Sequence, residues 1–318
     1  MGLGPAVRAW LSGSWGGASG LSAGRGIIFA MTSVGAVLVP QFPPERMRSI
    51  AVAAEEAGLE ELWLWEDCFL QGGISSAAAL LAWTRRLRIG IGVLPVPLRN
   101  VALTAMEVAT LHRLFPDRVT VGVGHGVQDW MGQVGARAES PMTLLREYLD
   151  ALRALLRGER VTTHGRYVHL DDVALDWPPT TPPPILAAAT GPRTLRLTGE
   201  AADGTILTAR TTPAQVRQAH ATITEARATR PGPHPLVVNV LAATGPDARP
   251  RLAAQRRRAD YPPATPTEVA GDPQDAAYAL THWAKAGATH LILQPTPDDP
   301  DPESFIRFAT QTATLLSH

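Results

Sequence analysis

From residue 31 onward, short runs of β-branched and apolar residues alternate with longer stretches whose apolar side chains recur every three or four positions. Those are the periods of strand and helix. Val34–Pro40, Leu62–Trp65, Arg88–Leu94, Arg118–Val123, Ile185–Ala189, Gly204–Leu207, Leu236–Ala242 and His290–Gln294 read as strands. Pro43–Gly58, Ser75–Leu87, Val101–Leu114, Pro141–Leu156, Arg193–Ala201, Pro213–Thr229, Asp272–Gly287 and Pro302–Leu316 read as helices. The first helix has Pro44 near its start and Gly58 just past its end, with Met47, Ile50, Ala51, Ala54 and Leu59 as its stripe. Over 141–156 the stripe is Leu144, Leu145, Tyr148, Leu152 and Leu155, with Ser140 placed to cap it and Gly158 to close it. One segment breaks the alternation: Val161–Leu175 reads as a β-hairpin around Gly165. About eight strand–helix units plus one insertion predict the α/β class, a (β/α)8 TIM barrel with a β-hairpin insertion at about 161–175. An open doubly wound sheet is the alternative, because pattern alone does not require closure.

Residues 1–30 differ from the rest. They are rich in Gly, Ser and Ala, without strand alternation or a helical stripe, and lack the long apolar core of a signal peptide. The expected organisation is a disordered or non-core leader over 1–30 and one barrel domain over 31–318. The 318 residues suffice for such a barrel, and a 45% hydrophobic fraction supplies its core. Lys plus Arg and Asp plus Glu balance at 29 each, which argues against nucleic acid or an anionic membrane as partner. The arginine-rich stretch Pro246–Asp260 is then a solvated outer helix face. No apolar run reaches the roughly 18 residues of a membrane span. The single cysteine, Cys68, rules out an intrachain disulfide and fits a reducing, cytoplasmic compartment.

In such a barrel the chemistry sits at the C-terminal ends of the strands, and four ends stand out. After Leu62–Trp65 come Glu66, Asp67, Cys68 and Phe69, a carboxylate and a thiol aimed at the barrel mouth; the plain alternative is a turn-capping Asp67 beside a buried cysteine. Gly92, Val93, Leu94 and Pro95 end a glycine-interleaved strand, where missing side chains let a flat ligand approach the main chain. Gly124, His125, Gly126, Val127, Gln128, Asp129 and Trp130 do the same, with His125 placed to bond a ligand. As a dinucleotide fingerprint that Gly-x-Gly-x-Gly run fails, because the pattern shows no helix opening directly on it. Finally, Ala187–Ala189 lead through Thr190, Gly191, Pro192, Arg193 and Thr194 into a helix whose free N–H groups and positive dipole end suit an anion. No histidine pair at metal spacing lies at a strand end, which argues against a metal-dependent barrel hydrolase.

These motifs give the chain a resemblance to the bacterial luciferase-like superfamily, the (β/α)8 oxidoreductases that bind FMN or the deazaflavin coenzyme F420. The resemblance implies Asp67, Gly92, Val93, Leu94, Pro95, Gly124, His125, Gly126, Trp130, Thr190, Gly191, Arg193 and Thr194 as the cofactor-binding set. It implies a non-proline cis peptide at Gly92–Val93 behind the ring, and the phosphate of the cofactor at 190–194. Ala202, Asp203 and Gly204 match a family signature. The deazaflavin branch has a Ser-Asp-His-Phe-like stretch where this chain has Glu66, Asp67, Cys68 and Phe69, so Cys68 replaces a catalytic histidine. The base of the family's sugar-phosphate dehydrogenases corresponds to Val127, which cannot titrate. Proton transfer is therefore assigned to His125, with Cys68, Asp129 and Glu66 as other groups near the ring; an ordinary thiol with a pKa of about 8.5 is poorly matched to neutral pH. The implied activity is F420-dependent hydride transfer to or from a small organic substrate. The alternatives are an FMN-dependent monooxygenase using O2 with a separate flavin reductase, and a non-enzymatic barrel that has lapsed into binding or scaffolding. The resemblance also leaves room for a homodimer.

Overall fold

The computed structural model describes residues 32–258 and 267–317. The eight expected strands all form: β1 (Ser33–Val37), β2 (Glu61–Leu64), β3 (Arg88–Pro95), β4 (Val119–Gly124), β7 (Ile185–Ala188), β8 (Gly204–Leu207), β9 (Leu236–Ala243) and β11 (His290–Gln294). Each pairs in parallel with its neighbour, and pairing of β8 with β9 and of β11 with β1 closes the ring. The result is a (β/α)8 TIM barrel. A short strand, β10 (Glu268–Ala270), was not anticipated; it pairs with Leu241–Ala243 of β9, beyond the point where β8 stops at Val238.

The helices that cover the barrel are α1 (Met47–Ala57), α2 (Gly73–Trp83), α3 (Val101–Leu114), α5 (Pro141–Leu156), α6 (Pro192–Ala201), α7 (Pro213–Ala226), α8 (Ala248–Arg258), α9 (Pro273–Ala284) and α10 (Pro302–Leu316). A six-residue helix, α4 (Gln128–Gln133), opens directly after the β4 loop, where the sequence pattern shows none. Ser140 occupies the N-cap of α5 without capping it: its hydroxyl pairs with Thr143 Oγ1 at 2.8 Å. The expectation for residues 1–30 lies outside the described residues. Among the described residues no helix is long and apolar enough to cross a membrane.

The predicted hairpin is β5 (Val161–His164) and β6 (His169–Val173), antiparallel and held by α5. Glu147 accepts the backbone N–H groups of Arg166, Tyr167 and Val168 at 2.8–3.1 Å. Burial pushes the Glu147 pKa up, but those three bonds outweigh it and leave it below the ordinary value.

Inside the barrel one residue sets the packing. Strand alternation puts Glu61, Trp63 and Trp65 on the inner side of β2. The Trp63 indole, 3% exposed, fills the space over Gly90 and Gly92 of β3; a Cβ at Gly90 would sit inside the ring. Ile206 of β8 likewise fills the space over Gly122 of β4. Trp63 Nε1 donates to Glu61 Oε2 at 2.9 Å, and Ser33 Oγ donates to Glu61 Oε1 at 2.7 Å, so the buried acid is bonded on both oxygens.

The N-terminal end of the barrel is tied by polar links. Asp203 accepts a two-pronged contact from Arg153 (2.6 and 3.0 Å), the N–H of Ile185 (3.0 Å) and Arg230 (3.2 Å), which joins α5, β7 and the loop after α7. Nearby, Arg227 donates to His234 Nδ1 at 3.0 Å. Arginine cannot accept, so the neutral ring carries its proton on Nε2 and gives it to Thr205 Oγ1 at 2.8 Å; Thr205 donates to Thr198, and Thr198 to the Leu195 carbonyl. Burial, with Arg227 and Arg230 alongside, pulls the His234 pKa down to about 4.

Two outcomes follow. Gly90→Ala should destabilise the protein by about 1–3 kcal/mol through overpacking, and adding Trp63→Leu should recover part of that loss in denaturant unfolding. His234 binds its proton more readily unfolded, near pH 6.5, than folded, near pH 4. Its contribution is therefore complete above pH 6.5 and falls away toward pH 4. Allowing for the solvent that still reaches the ring, it amounts to about 1–2 kcal/mol. His234→Gln, which can both accept from Arg227 and donate to Thr205, should flatten the acid limb of stability against pH; an unchanged slope counts against this role.

Candidate active site

A cavity of about 510 Å³ opens at the C-terminal ends of the strands, within the size range of small-molecule and cofactor sites. One side is almost bare backbone. Gly92 and Val93, half-buried between fully buried Ile91 and Leu94, line the cavity, and at Gly92 β3 has only main chain to show. The Gly92–Val93 peptide is cis. Pairing of β3 with β4 slips between Ile91 and Leu94, and the freed Val93 carbonyl accepts the N–H of Glu66 at 3.2 Å. Gly124, Ala188 and Ala189 continue this bare surface across β4 and β7. Gly126 has φ +68°, and a Cβ there would press on Met131 and Pro95, so glycine serves both the turn and the packing.

Polar groups rim the bare wall. Asp67 accepts Trp65 Nε1 at 2.8 Å; burial raises its pKa, with that bond opposing. His125 lies between the cavity and α6. Thr194 Oγ1 directs its proton at Met142 Sδ (3.4 Å) and stands 3.5 Å from His125 Nε2, where it can act as acceptor. His125 Nδ1 itself is buried. Burial pulls the His125 pKa below its ordinary value, and the nearby Pro141 carbonyl offsets part of the shift. Thr208 and Arg210 from the loop after β8, Asn239 of β9 and Gln294 of β11 line the facing side, with Trp65, Val127 and Trp130 as apolar elements.

The structure thus brings together Asp67, Gly92, Val93, Pro95, Gly124, His125, Gly126, Trp130 and Thr190. Other expected residues lie elsewhere. Leu94 is 1% exposed and packs toward Gly73 at the start of α2. Asp129 sits on the outer face of α4, its carboxylate 93% exposed and 3.3 Å from Arg137. Cys68 is half-buried beside the cavity without lining it; burial, then Glu66 and Asp67, raise its pKa, which keeps the thiol protonated at neutral pH. Gly191 caps α6 without a side chain, so the first-turn N–H groups of Arg193 and Thr194 have no partner within the helix. The Arg193 side chain turns outward to a separate groove that it shares with Arg146 and Arg196.

Sequence reasoning missed the wall built by Thr208, Arg210, Asn239 and Gln294. A signal was present: Asn239 and Gln294 are polar residues in otherwise largely apolar strands, and Thr208 and Arg210 follow directly on the C-terminal end of β8.

The model of the luciferase-like monooxygenase family matches residues 25–289. The F420-dependent glucose-6-phosphate dehydrogenase of Kineococcus radiotolerans is 35% identical over 181 residues, 53% of each chain. The 5,10-methylenetetrahydromethanopterin reductase of Methanolobus tindarius is 29% identical over 175 residues, 55% of this chain and 53% of the relative. The chain spans about half the length of the curated relatives it matches. Among solved structures, an F420-dependent secondary alcohol dehydrogenase in complex with an F420–acetone adduct superposes with a TM-score of 0.78 at 20% identity, over 90% of this chain and 99% of that one. That likeness extends the shared barrel to nearly the whole described fold. With its family model covering most of its length, the chain belongs to the luciferase-like monooxygenase family.

Proposed function

We propose that the cavity binds coenzyme F420 and that the protein is an F420-dependent oxidoreductase acting on a small organic substrate. The observation that carries this reading is the side-chain-poor wall of Gly92, Gly124, Ala188 and Ala189, set beside half-buried Asp67 and His125. A flat ring fits such a cradle, and the Kineococcus relative is named for F420 dependence. When bound, the deazaflavin supplies the hydride chemistry. The chain's own residues do the rest. Backbone at 92–93 and 124 backs the ring, Asp67 and Thr190 orient its polar edge, and the open first turn of α6 holds an anionic group. His125, neutral at pH 7 because burial lowers its pKa, is set to take a substrate proton rather than to give one up. Cys68 holds its proton and takes no part in transfer. The reading takes 31–318 as the barrel domain and 1–30 as a leader, and a single thiol fits a reducing, cytoplasmic compartment.

The first test is binding by calorimetry. The full chain should bind F420 more tightly than FMN; preference for FMN redirects the reading to the monooxygenase alternative, and binding of neither leaves a scaffold. A Cβ added at Gly191 would point into open space. Gly191→Val should therefore keep its melting temperature while weakening F420 by about tenfold or more, the loss of a charge-assisted bond of about 1.5–3 kcal/mol.

The second test is catalytic, in F420-reduction assays screened with simple alcohols. His125→Ala should lower kcat by about 10²-fold at saturating coenzyme, whereas Cys68→Ser should stay close to the parent. The parent's kcat should fall on acidification, with a midpoint below the ordinary histidine value of about 6.5, and that limb should vanish in His125→Ala. A dead Cys68→Ser beside an active His125→Ala reverses the assignment.

A further inference from the structure

Three N–H groups converge on the Glu66 carboxylate. Arg99 Nη2 donates to Oε2 at 2.8 Å and Arg99 Nε to Oε1 at 3.3 Å, a two-pronged grip. The Gly73 N–H, at the start of α2, donates to Oε2 at 2.6 Å. The remaining arm of the guanidinium, Nη1, donates to Glu107 of α3 at 2.7 Å. All three side chains are largely buried, at 12% exposed for Glu66, 16% for Arg99 and 26% for Glu107. Meanwhile the Glu66 backbone N–H holds the Val93 carbonyl. One residue therefore fastens the end of β2, the slipped turn of β3, the start of α2 and, through Arg99, the loop leading into α3.

Glu66 also borders the cavity, next to Asp67. That position invites the view that Glu66 is the proton donor in a chain whose candidate loop has Cys68. The contacts speak against it: each named contact of the carboxylate is with a donor and engages an oxygen lone pair. We propose that Glu66 and Arg99 form a positioning pair for the cavity: they lock the 65–69 loop against the Val93 turn, so that Asp67 and the bare backbone wall hold a fixed relative placement. In its bearing on the cofactor, this rests on the F420 reading above.

The chain contains a reporter for such a lock. Cys68 is its single thiol, half-buried and within the loop that the pair holds. Alkylation by iodoacetamide, followed against pH, separates two quantities: the midpoint reports local charge, and the limiting rate at high pH reports access to the sulfur. Glu66→Ala and Arg99→Ala should each raise the limiting rate by about tenfold, as expected when a local opening becomes easier by about 1.4 kcal/mol. The double variant should fall well short of the product of the two singles, because both remove the Glu66–Arg99 contact. An unchanged limiting rate in the singles, or effects that multiply in the double, overturns the lock. If the alanine variants do not fold, Glu66→Gln and Arg99→Lys are read in the same way, with about a threefold rise expected because each keeps part of the contact.

Calorimetric titration with F420 completes the test. Affinity should fall in the variants in step with the alkylation rate; unchanged affinity beside faster alkylation overturns the positioning role. A parent protein that binds no F420 removes the cofactor reading instead, and the alkylation arm still decides whether the lock exists.

Discussion

The inside of an eight-stranded barrel has room for only a few large side chains, and here the Trp63 indole takes much of it. Glycines on the next strand follow from that choice, because Gly90 and Gly92 lie where the ring lies. The ring in turn requires a partner for its N–H. Glu61 provides it, and as a buried acid needs the Ser33 hydroxyl on its other oxygen. Ile206 and Gly122 repeat the large-against-small arrangement across the barrel. The cavity rests on this packed floor, and Gly92 belongs to both, giving way to the indole and presenting bare backbone above it.

The two ends of the barrel use charge differently. At the N-terminal end, Asp203 and His234 each have several partners, and their bonds join successive elements; this is the stability face of the fold. At the C-terminal end the groups at the cavity are more sparsely held. Asp67 accepts one indole N–H, and the His125 ring has a long 3.5 Å contact to Thr194 Oγ1. Glu66, held as firmly as Asp203, departs from this pattern at the cavity edge.

Most of the architecture was legible because the eight barrel strands are predominantly apolar or β-branched and most helices between them have apolar stripes. Two short elements were not. β10 is three residues long, too short to display a period, and forms only because β9 extends past β8. α4 has six residues with Gly132 inside it and no stripe, and its presence turns Asp129 outward to Arg137. Within the cavity, the bare wall could be read from glycines and alanines at strand ends, since an absent side chain declares itself in the sequence. The opposite wall is made by side chains whose facing depends on strand parity and on register around the ring. Asn239 stands opposite Ile292 only because β9 pairs with β11 in that register. Arg193 failed as a cavity residue for a related reason: its backbone N–H lies in the first turn of α6, while the side chain runs away from it along the helix surface.

The division between a backbone wall and a side-chain wall also sets how such a site can diverge. A surface made of glycine and alanine has at most a methyl group to trim, so nearly every substitution there adds atoms, and at Gly124 the added carbon already meets Val93. Thr208, Arg210, Asn239 and Gln294 can be enlarged, shortened, neutralised or recharged one at a time, without touching the floor at Trp63. Variation in what the cavity admits is therefore channelled onto one half of its perimeter. The other half stays the same shape while substrates change across from it.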